Sequence, residues 1–204
     1  MKTIGIVGGV ASGKSLVAKM LVEAGAALLD ADRTGHAVLT DDAAVHQALV
    51  NRWGDSILAS DGAIDRGAVA RRVFAQSQSG VADRKFLEEL LHPRIRQRLM
   101  QERDKAQAAG KPAVILDAPL LLEAGWGPMC DIILMIDSPR DLRLERADSR
   151  GWNEAEFDRR EAAQWTPDEK RQLAHIVIVN DGTPEELRTA IASFWQRQIA
   201  DATS

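Results

Sequence analysis

The run Gly8-Gly9-Val10-Ala11-Ser12-Gly13-Lys14-Ser15 fits the pattern G-x-x-x-x-G-K-[ST] at every position. Its chemistry is that of a phosphate cradle. Glycines let the backbone curl so that successive N–H groups face a phosphate, and the positive end of the following helix adds to the attraction. Lys14 then reaches the β- and γ-phosphates, and the Ser15 hydroxyl is a ligand for Mg²⁺. A nucleoside triphosphate is therefore expected against Gly9, Val10, Ala11, Ser12, Gly13, Lys14, Ser15 and Leu16.

Carboxylates form the second group. Asp30-Ala31-Asp32 closes an apolar run, so its two acids share a face if the strand continues through them. Either one accepts a proton from an acceptor hydroxyl, or it caps the helix that follows around 34–39. Asp117 ends Ala113-Val114-Ile115-Leu116, the position from which an acid holds Mg²⁺ or its water, or else it is a strand-end turn residue. Glu123 follows closely, and Asp137, near Pro139, reads as an ordinary cap.

The third group is basic. Arg140, Arg143, Arg146 and Arg150 recur at helical spacing, and Arg159, Arg160, Lys170 and Arg171 follow. Such a segment, closing as a lid, stabilises charge on a transferring phosphoryl group and excludes water. The bland alternative is a solvated face, because Asp141, Glu145 and Asp148 are interspersed.

Short, nearly continuous apolar runs are predicted as strands at 3–7, 26–29, 113–117, 131–136 and 176–179, alternating with helical patterns. That alternation predicts a parallel sheet covered by helices. More than 80 residues separate the second and third runs, too many for one crossover. They predict an inserted helical region: one helix capped by Asp65, one over about 81–91, and a third after Pro93. Thr183, Pro184 and Glu186 form a capping box for the last helix, and 201–204 reads as a frayed tail.

The chain has 204 residues and a formal charge of −4, which disfavours bulk nucleic-acid or anionic-membrane binding. One cysteine excludes an intrachain disulfide, and no apolar run reaches membrane-spanning length. His36 and His46 show no ligand spacing. Trp126 and Trp152 flank candidate site segments, where either ring could stack on an adenine.

With these residues assembled, the chain resembles the dephospho-CoA kinase family, itself similar to nucleoside monophosphate kinases. The resemblance rests on the phosphate loop, Asp30-Ala31-Asp32, Asp65-Arg66, Leu91-His92-Pro93 with Ile95, and Asp117-Ala118-Pro119-Leu120-Leu121-Leu122-Glu123. It continues through Leu142-Arg143-Leu144-Glu145-Arg146, Arg150, Arg160 with Gln164, and Val179-Asn180-Asp181-Gly182, covering nearly the whole chain. Two departures are Ala11, where a glycine is common in the loop, and Ala174-His175, where the family usually has Ala-Asp.

The resemblance implies an α/β fold, a five-stranded parallel P-loop NTPase core with a helical substrate-binding insertion and an Arg-rich helical lid. Within one kinase domain, 1–32, 111–138 and 174–204 would form the core, 33–110 the acceptor region and 139–173 the lid. Implied activity is transfer from ATP to the ribose 3′-hydroxyl of dephospho-CoA with Mg²⁺, in the cytoplasm, without nucleic acid, membrane or an obligatory protein partner. Asp32 would be the base, and Lys14 and Arg146 would stabilise the phosphoryl group. Asp32, Arg66, His92, Pro119 and Leu120 would bind the acceptor, Arg143, Arg146 and Arg150 would belong to the lid, and Ser15 and Asp117 would hold the metal. A different small-molecule kinase is the main alternative. A guanine-specific switch is disfavoured, because Asn180 is followed by Asp181-Gly182 and not by an Asn-Lys-x-Asp element.

Overall fold

A computed structural model describes residues 1–201, so most of the expected tail lies outside the described residues. All five predicted strands form, within a residue of their expected bounds: β1 (Lys2–Gly8), β2 (Ala27–Asp30), β3 (Ala113–Asp117), β4 (Ile132–Asp137) and β5 (Ile176–Val179). They make one parallel sheet in the order β2-β3-β1-β4-β5. Ile4 of the central strand sits opposite Ile115 on one side and Ile132 on the other. Burial on both faces explains why β1, β3 and β4 read as apolar runs with no alternation, while the edge strands β2 and β5 are partly exposed.

The helices are α1 (Lys14–Glu23), α2 (Ala31–Asp41), α3 (Ala43–Trp53), α4 (Arg66–Val73), α5 (Gln78–Ala108), α6 (Arg140–Asp148), α7 (Glu154–Glu161), α8 (Pro167–Leu173) and α9 (Pro184–Trp195). Two compact units result, residues 1–30 with those from 103 onward, and residues 31–102. Asp32 belongs to the second unit. Among the described residues no helix is long and apolar enough to cross a membrane.

In the sheet unit, Val17 and Leu21 of α1 and Leu187, Ile191 and Phe194 of α9 bury against Ile4, Ile6, Ile115 and Leu134. The capping box of α9 forms as expected, with Thr183 accepting from the Glu186 amide. A second box, Thr166 with Glu169, starts α8. Asp137 caps nothing: it pairs with Arg171, and α6 begins at Pro139 with no side-chain cap.

The helical unit keeps the Asp65 cap on α4 and adds Asp42 as the cap of α3. Trp53 packs edge-on against Phe86 at 5.7 Å above a core that includes Val45, Leu49 and Ile57. Pro93 does not divide two helices, because α5 runs through it. Proline cannot donate to the carbonyl one turn back, a break worth about 3 kcal/mol in a helix interior. One residue further on, the Arg94 guanidinium donates to the Leu90 carbonyl at 2.7 Å and is itself held by Asp42 at 3.7 Å.

Gly5, in the middle of β1, leaves room for two side chains. A Cβ there would lie 2.5 Å from Cys130 Sγ and 2.9 Å from Leu121 Cδ1. Burial pushes the Cys130 thiol up to about 12, with Asp131 adding to it, so Cys130 serves packing and not reaction. Gly5→Ala is expected to cost about 1–3 kcal/mol by over-packing, measured by urea unfolding. An unchanged midpoint would show that this part of the core yields without cost.

Candidate active site

Gly8 ends the central strand and Gly13 caps α1, so the intervening loop lies at the carboxyl edge of the sheet, where open α/β sheets hold ligands. Its carbonyls are turned inward and paired. Lys14 Nζ donates to the oxygens of Gly8 at 3.0 Å and Gly9 at 2.8 Å. Arg143 Nη1 donates to Val10 at 3.4 Å. The Ser12 oxygen accepts from Asn180 Nδ2 at 2.8 Å and Ser138 Oγ at 3.1 Å. Because a trans peptide points its N–H opposite to its C=O, this arrangement turns amides away from those donors.

Three positions of the motif have positive φ: Gly8 at 151°, Gly13 and Ala11. Gly13, at φ 102°, must be glycine, since a Cβ would collide with the Asn180 amide nitrogen. Ala11, at φ 57°, is strained by about 1–2 kcal/mol. Its methyl offsets part of this by packing with Val10, Ala147 and Phe157. The departure from glycine is therefore a trade between backbone strain and burial.

A cavity of about 410 Å³ is lined by residues 11–16, Arg146, Arg150, Asn180, Gly182, Pro184 and Leu187. Thus the loop residues from Ala11 to Leu16 share one space with two of the three expected lid arginines. The third, Arg143, is buried beneath the loop. It pairs with Glu161, donates to the Ser138 carbonyl at 3.0 Å, and lies 5.4 Å from the Phe157 ring. Arg146 donates to Ser138 Oγ at 3.0 Å and to the Asn180 carbonyl at 3.2 Å. The same two residues therefore hold both the loop and Arg146.

Burial lowers the Lys14 ammonium to about 8; Lys170 and Arg143 push the same way, while Asp117 and Glu123 oppose it. Its position among two carboxylates and two cations makes this group responsive to added phosphate charge. Asp117 lies opposite Ile6 of β1 and Asp30 of β2, so both expected carboxylates meet at one end of the sheet. Asp32 follows in the first turn of α2, at the positive end of that helix. Ser15, in the first turn of α1, is exposed. Among the described residues no three His, Cys, Asp or Glu side chains are grouped to hold a metal. One hydroxyl and one carboxylate fit a magnesium ion that takes its other ligands from phosphates and water.

Pro119 and Leu120 directly follow β3, and Leu120 is exposed. Glu123, a little further on, pairs with Lys170 at 3.2 Å. Neither tryptophan lines the loop cavity. Trp126 is buried, and the Trp152 ring is covered by Arg160 at 4.1 Å.

In the helical unit a groove of about 590 Å³ is lined by His36, Leu39, Arg66, Gly67, Val69, Ala70, Val73, Phe74 and Leu87. Arg66 Nη2 lies 2.7 Å from His36 Nε2, a partnership that the sequence did not suggest. His92 stands within α5 and not at a helix boundary. Sequence reasoning assigned no role to Ser138 or Asn180, and it grouped Lys170 with the lid cations, whereas its ammonium is buried against Glu123, Gln164 and the Gly8 carbonyl. The first two stand just past β4 and β5, so the rule that ligands gather at strand carboxyl ends was the available signal.

The family model for dephospho-CoA kinase matches residues 2–186. A dephospho-CoA kinase of Rhodopirellula baltica is 40% identical over 190 residues, 93% of this chain and 88% of its own length. One from Geobacter sulfurreducens is 36% identical over 98% of this chain and all of its own. Among solved structures, a Thermus thermophilus protein superposes with a TM-score of 0.80 at 32% identity, covering 97% of both chains. The dephospho-CoA kinase of Campylobacter jejuni, at 20% identity, shares the fold with a TM-score of 0.66 over 98% of each chain. A phosphate loop with inward-paired carbonyls, an arginine helix beside it and this full-length likeness converge: the chain belongs to the dephospho-CoA kinase family.

Proposed function

We propose that this protein transfers the γ-phosphoryl group of ATP to the ribose 3′-hydroxyl of dephospho-CoA, giving coenzyme A and ADP. The observation that carries this reading is the cavity shared by residues 11–16, Arg146 and Arg150. Cations there meet the charge that develops on a transferring phosphoryl group, which is where catalysis of this reaction resides. Family membership selects the acceptor. The enzyme would act in the cytoplasm on small molecules, without nucleic acid, membrane or an obligatory partner.

In this reading the 3′-oxygen attacks the γ-phosphorus, the bond to the β,γ-bridging oxygen breaks in line, and the hydroxyl proton passes to Asp32. Lys14 leaves the Gly8 and Gly9 carbonyls for the phosphates, and Arg146 contacts the equatorial oxygens as charge builds. Ser15 and Asp117 would hold Mg²⁺, which neutralises phosphate charge when bound. The helical unit supplies the acceptor surface. There Arg66, held by His36, offers a cation, and Leu39, Val73 and Phe74 line an apolar groove. Acceptor-binding roles are proposed for His92 of the same unit and, in the sheet unit, for Pro119 and Leu120 on the ground of family membership.

Purified protein with Mg-ATP and a panel of acceptors tests the assignment: ADP release is expected to depend on dephospho-CoA, and equal turnover with a nucleoside would overturn it. Asp32→Asn is expected to lower kcat by about 10²–10⁴ while ATP affinity stays nearly intact. Near-normal turnover would remove Asp32 from the role of base. Arg146→Ala is expected to lower kcat by about 10² or more with a smaller change in ATP KM. A loss confined to KM would make Arg146 a ground-state contact only.

A further inference from the structure

Lys170 is the most unusual charge in the sheet unit. Only 2% of its surface is exposed, a condition lysine reaches only when paired. Its ammonium donates to Gln164 Oε1 at 2.8 Å, lies 3.2 Å from Glu123 Oε1, and reaches the Gly8 carbonyl at 3.4 Å. That carbonyl is the one Lys14 also holds, at 3.0 Å. Glu123 Oε1 in turn accepts the Trp165 amide at 2.9 Å, which fixes it where it stands. A buried lysine and a half-buried one therefore share the Gly8 carbonyl at the root of the phosphate loop, and an anchored carboxylate holds the buried one.

A buried carboxylate without a partner draws in the nearest cation. Lys170 is paired with Glu123, and Lys14, which shares the Gly8 carbonyl with Lys170 and has to move to the nucleotide, also feels that carboxylate, though less than it feels Asp117. We infer that Lys170 is a positioning residue for phosphoryl transfer: by occupying Glu123, it keeps Lys14 free to leave the Gly8 carbonyl for the phosphates. This rests on the role proposed for Lys14 above. Lys170 itself stays on Glu123, Gln164 and Gly8 throughout the cycle and touches no phosphate. Its placement on α8, after the arginine-rich α6 and α7, also joins that segment to the base of the loop.

The experiment compares three proteins, wild type, Lys170→Met and the double variant Lys170→Met/Glu123→Gln. Mg-ATP affinity is measured by calorimetry, and kcat and KM with dephospho-CoA follow. Affinity does not depend on the acceptor, so a wrong acceptor assignment would leave this readout standing. Lys170→Met is expected to weaken ATP binding and lower kcat by about tenfold or more, since Lys14 is then captured by Glu123. Removing the carboxylate charge in the double variant is expected to restore both to within about threefold of wild type, because a pair replaced at both ends leaves no buried charge. A side chain that mattered only for packing, or one that contacted phosphate, would leave the double variant as impaired as the single one. That result, or an unimpaired Lys170→Met, would overturn the inference. If Lys170→Met does not fold, the double variant decides alone, and an impaired double variant overturns the inference.

Discussion

A loop that offers its amides to phosphate must dispose of its carbonyls, and the rest of this structure is arranged around that constraint. Buried carbonyls left without donors would each cost about 1–3 kcal/mol. Here the donors come from five separate places: Lys14 on α1, Arg143 on α6, Ser138 just past β4, Asn180 just past β5, and Lys170 on α8. The strand order makes this possible. With β4 beside β1 and β5 beside β4, the residues that follow both strands fall next to the residues that follow β1.

The same donors connect binding to chemistry. Ser138 and Asn180 hold the Ser12 carbonyl with one set of bonds and Arg146 with another. Arg143 supports the loop from below while its own charge is met by Glu161. Lys14 therefore works in a balanced field, with burial drawing it down to about 8 and two carboxylates resisting. A triphosphate adds negative charge to a place where Arg146 and Arg143 are already fixed, so apart from the turn of Lys14 onto the phosphates little reorganisation is required as charge develops.

What the sequence made legible was local. The strands, the Gly13 turn, the Asp65 cap and the Thr183 box each depend on residues within a few positions of one another, and each appears where expected. Asp137 misled because an acid before a helix looks like a cap, whereas its partner, Arg171, lies on α8. Pro93 misled because its local rule breaks helices, whereas α5 runs through it, with the neighbouring Arg94 tied both to the Leu90 carbonyl and to Asp42. Arg143 and Arg146 share one helix face by spacing, yet one is buried under the loop and the other faces the cavity. The least legible residues were those that support the loop. Asn180 and Lys170 meet carbonyls more than 150 positions away, and no spacing rule reaches that far.

These side chains hold the loop in its phosphate-binding form before any nucleotide arrives. Amide ¹⁵N relaxation of the nucleotide-free protein reads this out residue by residue. Residues 9–16 are predicted to show order parameters near about 0.85, as for rigid backbone, and to change little when Mg-ATP is added. Values below about 0.6 that rise on binding would mean that the nucleotide, and not these side chains, orders the loop.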